Sequence, residues 1–259
     1  MCGFFVSLST SSQQQSQSSW LKSFKMLKHR GPDESRIQKV ESGWFGHHRL
    51  AIYDRSSVAS QPMWSHCGNF LLVFNGAIFN FQDLRQNYLK DFELKSNSDT
   101  EVLLALYQVL GLSFAKLLEG MFAFVIFDKK SQTLLACRDF LGKKPLYYSN
   151  EGGGLSFSSE VLPLAHHLNV RDLDLSELAL LDFQEFGYVA GNRSIFSTIN
   201  QLDPGTAYIC DSSSLTLKAR ESFKIFHFKK HMTLKPQKTM RCGFSWTNEL
   251  DKHLDSIDD

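Results

Sequence analysis

The sequence predicts an α+β fold, in which β-sheets are stacked on each other and a few helices cover the outside. Many short apolar or alternating runs, separated by short connections, are typical of strands. Fewer segments carry apolar residues at the spacing of a helix. Phenylalanine is also unusually abundant, at 22 of 259 residues, and suits a sheet-rich core.

The strands are predicted from runs of apolar, β-branched and aromatic residues. Cys2 to Leu8 predicts a buried strand. The continuous apolar run from Met121 to Phe127 predicts a strand that is buried on both faces. The other predicted strands are residues 35–40, 43–53, 70–74, 134–138, 146–148, 155–158, 207–210 and 215–219.

The helices are predicted from apolar periodicity and from the residues that begin and end them. Ser98 and Glu101 have the spacing of a capping box, in which Ser98 caps the helix and Glu101 reaches back to it. Gly111 and Gly187 are placed to end helices. The polar stretch from Ser9 to Ser19 predicts a solvated loop. The predicted helices are residues 20–27, 81–89, 98–110 and 176–186.

Composition narrows the class of protein. The net charge of +1 argues against a general nucleic-acid binder and against binding to an anionic membrane. No secretory signal opens the chain and no apolar stretch approaches transmembrane length. The cysteines are widely spaced and form no CxxC or zinc-ligand pattern, so we expect no disulfide framework, no metal site and a reduced, cytoplasmic location. They are Cys2, Cys67, Cys137, Cys210 and Cys242.

Cys2 is a candidate nucleophile. Removal of Met1, which the small side chain of Cys2 permits, would leave a thiol and a free α-amine on one residue. An α-amine has a pKa near ~8, so a modest depression leaves it neutral and able to take the thiol proton. On these residues alone an ordinary apolar cysteine at the start of a core strand is the favoured alternative, and the rest of the chain reverses that preference.

Several further segments match the motifs of one known protein family, and they occur in the same order along nearly the whole chain. They are Met1-Cys2-Gly3, His29-Arg30-Gly31-Pro32-Asp33, Gly46-His47-His48-Arg49-Leu50-Ala51-Ile52, Gln61-Pro62-Met63, Asn75-Gly76-Ala77-Ile78-Phe79-Asn80, Ser98-Asp99-Thr100-Glu101, Glu119-Gly120-Met121-Phe122-Ala123-Phe124, Arg138-Asp139 and Gly142-Lys143-Lys144-Pro145-Leu146-Tyr147-Tyr148. The chain resembles the glutaminase half of asparagine synthetase and its relatives, the class II glutamine amidotransferases. The segments favour the asparagine synthetase branch over the purine and hexosamine amidotransferases.

The resemblance implies the N-terminal nucleophile hydrolase fold, a four-layer αββα sandwich with two antiparallel sheets between helices. It also implies hydrolysis of L-glutamine to glutamate and ammonia through a thioester on Cys2, with no cofactor for this step. Asn75 and Gly76 would form the oxyanion hole, from the Asn side-chain N–H and the Gly backbone N–H. Local sequence alone instead favours a hairpin turn for this Asn-Gly pair.

The resemblance also implies the residues that bind glutamine. Arg49 would hold the α-carboxylate, although most arginines at strand ends are surface residues. Asp99 would pair with the α-ammonium and would also complement the helix dipole. Adjacent His47 and His48 point to opposite strand faces, so we interpret both as packing residues rather than as metal ligands or bases. The full predicted set that binds substrate is Arg49, Leu50, Ile52, Asn75, Gly76, Ala77 and Asp99.

The match fails in two places. Ala77 stands where the family usually carries a glutamate that helps to hold the substrate ammonium, and its absence weakens glutamine binding unless Asp99 suffices. The ATP-using synthetase domain is also missing, since no SGG-D-S pyrophosphate loop occurs. We therefore expect a glutaminase domain at residues 2–224, and a linker and the start of an absent ATP-pyrophosphatase domain at residues 225–259. Trp246, Leu250, Leu254 and Ile257 mark a helix there.

The leading hypothesis is therefore a glutaminase that passes ammonia to a synthetase domain or partner, where ATP and Mg would be used and aspartate amidated. Relatives that amidate a sugar or natural-product carboxylate are an alternative acceptor class. A degenerate, non-catalytic glutaminase-like module and a hydrolase of another amide are the rival functions. Assembly as a homodimer is left open.

Overall fold

The computed structural model describes residues 1–9, 17–52, 54–170, 174–211 and 217–222. Met1–Ile225 forms one compact unit. The predicted linker and the predicted helix from Trp246 to Ile257 lie outside the described residues, as does most of the predicted loop from Ser9 to Ser19. The domain boundary at residue 224 therefore stays a prediction.

The described residues form twelve strands in two sheets, and every strand pairing is antiparallel. The strands are β1 (Gly3–Ser9), β2 (Glu34–Val40), β3 (Gly43–Arg49), β4 (Met63–Trp64), β5 (Phe70–Ile78), β6 (Gly120–Asp128), β7 (Thr133–Arg138), β8 (Tyr147–Ser149), β9 (Gly154–Ser158), β10 (Asn200–Gln201), β11 (Thr206–Asp211) and β12 (Leu217–Ser222). The first sheet has the order β10-β8-β9-β1-β3-β2, and the second has the order β12-β11-β7-β6-β5-β4.

Helices lie on the outer face of each sheet. The α-helices are α1 (Gln17–Lys25), α2 (Phe81–Tyr88), α3 (Asp99–Leu110), α4 (Val161–Leu168) and α5 (Glu177–Phe186). Short 3₁₀ helices occupy Lys28–Arg30, Ser57–Ala59 and Gly111–Leu117. Helices α1 and α4 pack on the first sheet, and α2 and α3 pack on the second.

Three apolar clusters separate these layers, because alternate side chains of a strand point to opposite faces. On β1, Phe4, Val6 and Leu8 enter the cluster between the two sheets, whereas Phe5 enters the cluster beneath α1 and α4. On β6, Val125 belongs to the cluster between the sheets, and its neighbours belong to the cluster beneath α2 and α3. The predicted four-layer αββα sandwich is thereby confirmed.

Several element boundaries differ from the predictions. Strand β3 ends at Arg49 rather than at residue 53, so Leu50 and Ile52 lie in the segment that follows it. Strand β5 continues to Ile78, so the hairpin turn that local sequence favoured at Asn75-Gly76 is wrong. Pairing with β6 along the whole of β5 overrides the turn preference of the Asn-Gly pair.

Helix α4 was absent from the prediction. Its short sequence contains Pro163, which suggests a break, but the proline lies in the first turn, where its missing N–H has no intrahelical partner to lose. Asn169 ends the helix in the left-handed conformation. Helix α1 begins at Gln17, three residues before the predicted start at Trp20, and so extends into the stretch predicted as a loop.

One described helical stretch, Asp99–Leu117, is long and apolar enough to cross a membrane, with a mean hydropathy of 1.3. This stretch passes the test by length and composition alone, as the core helix of a globular domain can. Half of the stretch is buried inside the domain. Its apolar residues pack on the second sheet, and this packing accounts for the composition.

The cluster between the sheets should dominate stability. Leu155 of β9 is fully buried there, whereas Leu178 of α5 is 60% exposed. We expect Leu155→Ala to lower the free energy of unfolding by about 2–5 kcal/mol through lost burial and a residual cavity. Leu178→Ala should change it by less than about 0.5 kcal/mol. Urea denaturation of both variants measures this, and equal losses would contradict the assignment of the core.

Candidate active site

The candidate site lies where β1, β3 and β5 meet at one end of the sandwich. Because side chains alternate along a strand, Cys2 shares the face of Phe4, which is directed between the sheets. Arg49 shares the face of Phe45 on β3, and Asn75 shares the face of Val73 on β5. Residues from both sheets therefore converge on the same cleft.

This cleft encloses a cavity of about 140 Å³. All of the residues predicted to act or bind at the site line it. They are Cys2, Arg49, Leu50, Ile52, Asn75, Gly76, Ala77 and Asp99. The lining residues to which the sequence gave no role are Met1, Asp54, Ala59, Gln61, Phe74, Ser98, Thr100, Met121 and Lys144.

Cys2 is held at both its side chain and its backbone. The Leu50 N–H donates to Sγ at 3.4 Å, and Sγ lies 3.6 Å from the Leu50 carbonyl oxygen. Arg30 Nε donates to the Cys2 carbonyl at 2.9 Å, and its guanidinium pairs with Glu160 at 2.8 Å. Burial raises the pKa of the Cys2 thiol, although the Leu50 N–H and the Arg49 charge oppose that effect. The thiol therefore needs a base to act as a nucleophile at neutral pH.

Asn75 carries an unused donor and lines the same cavity as Cys2. Its side chain is 1% exposed, and its Nδ2 is buried with no hydrogen-bond partner among the described residues. A buried N–H without an acceptor costs about 1–3 kcal/mol of stability. A ligand atom in the cavity that accepts the Asn75 N–H would remove this cost when the ligand binds.

The free edge of β5 presents a second donor. Strand β4 pairs only with Leu71 and Leu72, so the following residues of β5 have no strand on that side. The Phe74 N–H donates to Gln61 Oε1 at 2.6 Å, and the Ile78 N–H donates to Asp99 Oδ2 at 3.0 Å. Because alternate N–H groups point to the same edge, that of Gly76 points there too, between these two bonds.

Gly76 is required by the close approach of β6. A Cβ atom at this position would lie 2.3 Å from the Met121 carbonyl oxygen and 2.7 Å from the Phe122 Cα. Any side chain would therefore push β5 away from β6. Because glycine has no side chain, β5 stays paired with β6 and the Gly76 N–H stays at the free edge that lines the cavity.

Asp99 begins α3 inside the cavity. Ser98 caps the helix by accepting the Glu101 N–H at 3.2 Å, but Glu101 does not complete the predicted capping box. Its carboxylate instead accepts the N–H groups of Lys95 and Ser96. Burial raises the pKa of Asp99 to about 6, even though the Ile78 N–H donates to its carboxylate.

Arg49 also lines the cavity and is buried, so it is not a surface arginine. Its guanidinium donates to the backbone carbonyls of Ser56, at 2.9 Å, and Asp54, and lies 3.5 Å from the Glu34 carboxylate. These contacts fix the orientation of the planar group. A guanidinium has five N–H donors, so the remaining ones can face a ligand carboxylate.

The adjacent histidines pack in the two directions that were predicted. His47 Nε2 donates to the Phe74 carbonyl of the second sheet at 3.0 Å, and burial lowers the pKa of His47 to about 3. His48 stacks on Phe24 of α1 and contacts Ser35. His47 therefore joins the two sheets at the edge of β5 that lines the site.

Sequence reasoning missed four residues that support the site. Arg30, Gln61, Asp139 and Lys144 all belong to the quoted segments, but none received a role. Gln61 and Arg30 hold the backbone of β5 and Cys2, respectively. Their place inside the segments that carry the resemblance was the signal that could have identified them.

Comparison with known proteins gives the family. A family model described as a glutamine amidotransferase domain matches residues 1–221. The chain belongs to this family.

The amidotransferase domain also has the fold of solved amidotransferases. A glutamine phosphoribosylpyrophosphate amidotransferase from B. subtilis matches with a TM-score of 0.60 at 18% identity, over 86% of this chain and 50% of that one. An allosteric regulatory enzyme of purine biosynthesis matches with a TM-score of 0.62, also at 18% identity, over 86% and 49%.

The amidotransferase domain has asparagine synthetases among its relatives. Asparagine synthetase (glutamine-hydrolyzing) 1 of Bacillus subtilis strain 168 is 34% identical over 184 residues, which are 71% of this chain and 29% of that protein. Synthetase 3 of the same strain is 30% identical over 90% of this chain and 34% of that protein. Asparagine synthetase B of Escherichia coli K12 is 40% identical over 54% and 25%. The chain thus spans about a third or less of these relatives, and the predicted resemblance is confirmed.

The raised pKa of Asp99 in the amidotransferase domain makes a testable difference to stability. The folded state holds this proton up to about pH 6, whereas the unfolded chain releases it near 3.8, so stability falls as pH rises between these values. The full penalty at pH 8 is of the order of 3 kcal/mol. We expect Asp99→Asn, whose amide oxygen still accepts the Ile78 N–H, to be about 1–3 kcal/mol more stable than the parent at pH 8 and equal to it at pH 4.

Urea denaturation at both pH values measures this gain. Asp83→Asn, which changes an exposed acid of α2, is the matched control and should leave stability nearly unchanged at either pH. A loss of stability in Asp99→Asn at pH 8 would show that the charged carboxylate stabilises the fold.

Proposed function

We propose that the amidotransferase domain hydrolyses L-glutamine to L-glutamate and ammonia through a thioester on Cys2. The unpartnered Nδ2 of Asn75, buried in the same cavity as the Cys2 thiol, is the observation that carries this proposal. Family membership makes glutamine the expected substrate and ammonia the expected product. The nucleophile and its base come from the chain itself, so the proposed step requires no metal or cofactor.

The first step is proton transfer within one residue. After Met1 is removed, the Cys2 α-amine takes the thiol proton, and the sulfur attacks the side-chain carbonyl carbon of glutamine. The carbonyl oxygen becomes an oxyanion that accepts N–H groups from Asn75 Nδ2 and the Gly76 backbone. The Leu50 N–H, already bonded to Sγ, stabilises the charge on the sulfur before the attack.

The intermediate then collapses in the forward direction. The carbon–nitrogen bond breaks, and the α-ammonium returns its proton to the leaving nitrogen, so that ammonia departs and a glutamyl thioester remains on Cys2. A water molecule, deprotonated by the same α-amine, attacks the thioester through a second oxyanion. Release of glutamate restores the thiol and completes the cycle.

The two ends of the cavity would recognise the amino-acid part of glutamine. Asp99 supplies a buried carboxylate for the α-ammonium, and ammonium binding would draw the pKa of Asp99 back below 6. Arg49 supplies donors for the α-carboxylate from a guanidinium fixed by two backbone carbonyls. Backbone groups of Leu50 and Ile52, which also line the cavity, complete the substrate site.

We further propose that the ammonia is passed to a synthetase domain or partner that amidates aspartate with ATP and Mg. The printed names of the relatives, glutamine-hydrolysing asparagine synthetases, support this acceptor. The domain corresponds to a quarter to a third of those proteins, so the acceptor chemistry belongs to sequence other than the matched domain. We propose a cytoplasmic location, which agrees with the reduced thiols of Cys2, Cys67 and Cys137.

Ala77 favours a second candidate, a non-catalytic module. Its methyl group lines the cavity where the resemblance expects a glutamate, so Asp99 alone must balance the substrate ammonium. Weak glutamine binding would leave a domain that only supports a partner. The buried donor at Asn75 supports the catalytic function, because an oxyanion formed in this cavity could accept its N–H.

Glutamate release from glutamine by the processed protein tests the proposal. Cys2→Ala should abolish turnover, and Asn75→Ala should lower kcat by about 100- to 1,000-fold through loss of one oxyanion donor. Asn97→Ala, which changes an exposed amide outside the cavity, is the matched control and should retain activity. A glutamine-mimicking electrophile should form an adduct at Cys2. No turnover by protein with a free Cys2 amine would favour the non-catalytic module.

Restoring a carboxylate at position 77 should strengthen glutamine binding. We expect Ala77→Glu to lower the KM for glutamine by about tenfold, which corresponds to about 1.4 kcal/mol, because a second acceptor faces the α-ammonium. Ala77→Gln has the same size without the charge and should give no such gain. Steady-state kinetics at pH 8 measures both variants, and a higher KM for Ala77→Glu would show that repulsion from Asp99 exceeds the gain.

A further inference from the structure

Lys144 is a buried cation in the active-site cavity to which the proposed mechanism gives no part. It is 6% exposed and lines the cavity with Cys2. Its Nζ lies 3.0 Å from the Met1 Sδ, a weak acceptor. No carboxylate of the described residues forms an ion pair with it. A buried ammonium without an ionic partner is costly to the fold.

The backbone around Lys144 is fixed independently of Met1. Asp139 accepts the Lys144 N–H at 2.9 Å, together with the N–H groups of Leu141 and Lys143. Arg138 Nε donates to the Lys144 carbonyl at 2.9 Å. These contacts hold the backbone of the loop between β7 and β8 without any part played by Met1.

The charges around Lys144 and Cys2 are few. Burial is the largest cause that lowers the pKa of Lys144, and the Arg30 charge lowers it further. Negative charge on Cys2 and Asp139 raises it. Around the Cys2 thiol, the N-terminal amine and Arg49 favour the thiolate, and Asp99 opposes it. Lys144 and Cys2 line the same cavity, and negative charge on Cys2 raises the pKa of Lys144, so the two groups attract each other across the site.

We propose that Lys144 is an electrostatic positioning residue for the glutaminase step, which holds a positive charge beside mature Cys2 so that the thiolate forms at a lower pH. Its charge attracts the thiolate and repels the α-ammonium. Both effects favour the neutral amine and the anionic sulfur that start the reaction. The inference rests on the proposed function, because it assumes that Cys2 is the nucleophile.

The pH dependence of Cys2 alkylation by iodoacetamide tests the inference without glutamine turnover. The protein is used after Met1 removal, and peptide mass spectrometry separates Cys2 from the exposed Cys67. The midpoint is the pH at which the rate of Cys2 alkylation is half of its maximum. We expect Lys144→Met to raise this midpoint by about one pH unit, and Lys144→Arg to keep the midpoint of the parent. Lys143→Met removes the same charge from an exposed neighbour and is the matched control, with an unchanged midpoint.

Each result decides the matter. An unchanged midpoint in Lys144→Met, an equal shift in Lys143→Met, or no restoration by Lys144→Arg would overturn the inference. Lys144→Gln repeats the test if the methionine variant does not fold. A shifted midpoint in a protein that does not hydrolyse glutamine would overturn the proposed function alone. Turnover with no dependence of the midpoint on Lys144 would overturn this inference alone.

Discussion

The free edge of β5 is the constraint on which the site depends. Because β4 ends after two residues, the N–H groups of the following segment must find acceptors outside the sheet. Gln61 and Asp99 satisfy two of them, and His47 from the other sheet donates to a carbonyl on the same edge. The N–H of Gly76 lies between these bonds. The unpaired edge of a strand thus supplies a fixed donor at the cavity that Cys2 also lines.

The site gathers groups that individually oppose folding. A buried carboxyl at Asp99, a buried ammonium at Lys144 and an unbonded amide at Asn75 all lie against one cavity. The apolar clusters on both sides of each sheet supply the stability that tolerates them. Groups that destabilise the fold are expected at functional sites, and three of them line this cavity.

Much of this arrangement could be predicted from the sequence. The alternation on β1 and β6 and the cap at Ser98 follow from local rules, and the order of the motifs pointed to the family. Three features could not be predicted, because they depend on distant parts of the chain. Strand β5 runs through the Asn-Gly pair because β6 lies beside it, and Glu101 turns to the backbone before the helix. Lys144 lines the same cavity as Cys2 although the two are 142 residues apart in sequence.

The place of Met1 has a practical consequence. The residue is 57% exposed yet borders the cavity, and its sulfur contacts Lys144. Under the proposed mechanism, a purification tag fused ahead of Met1 would keep the Cys2 amine blocked and leave a folded but inactive protein. Tags therefore belong at the other terminus, and the intact mass of each preparation should be checked before any sample is judged inert.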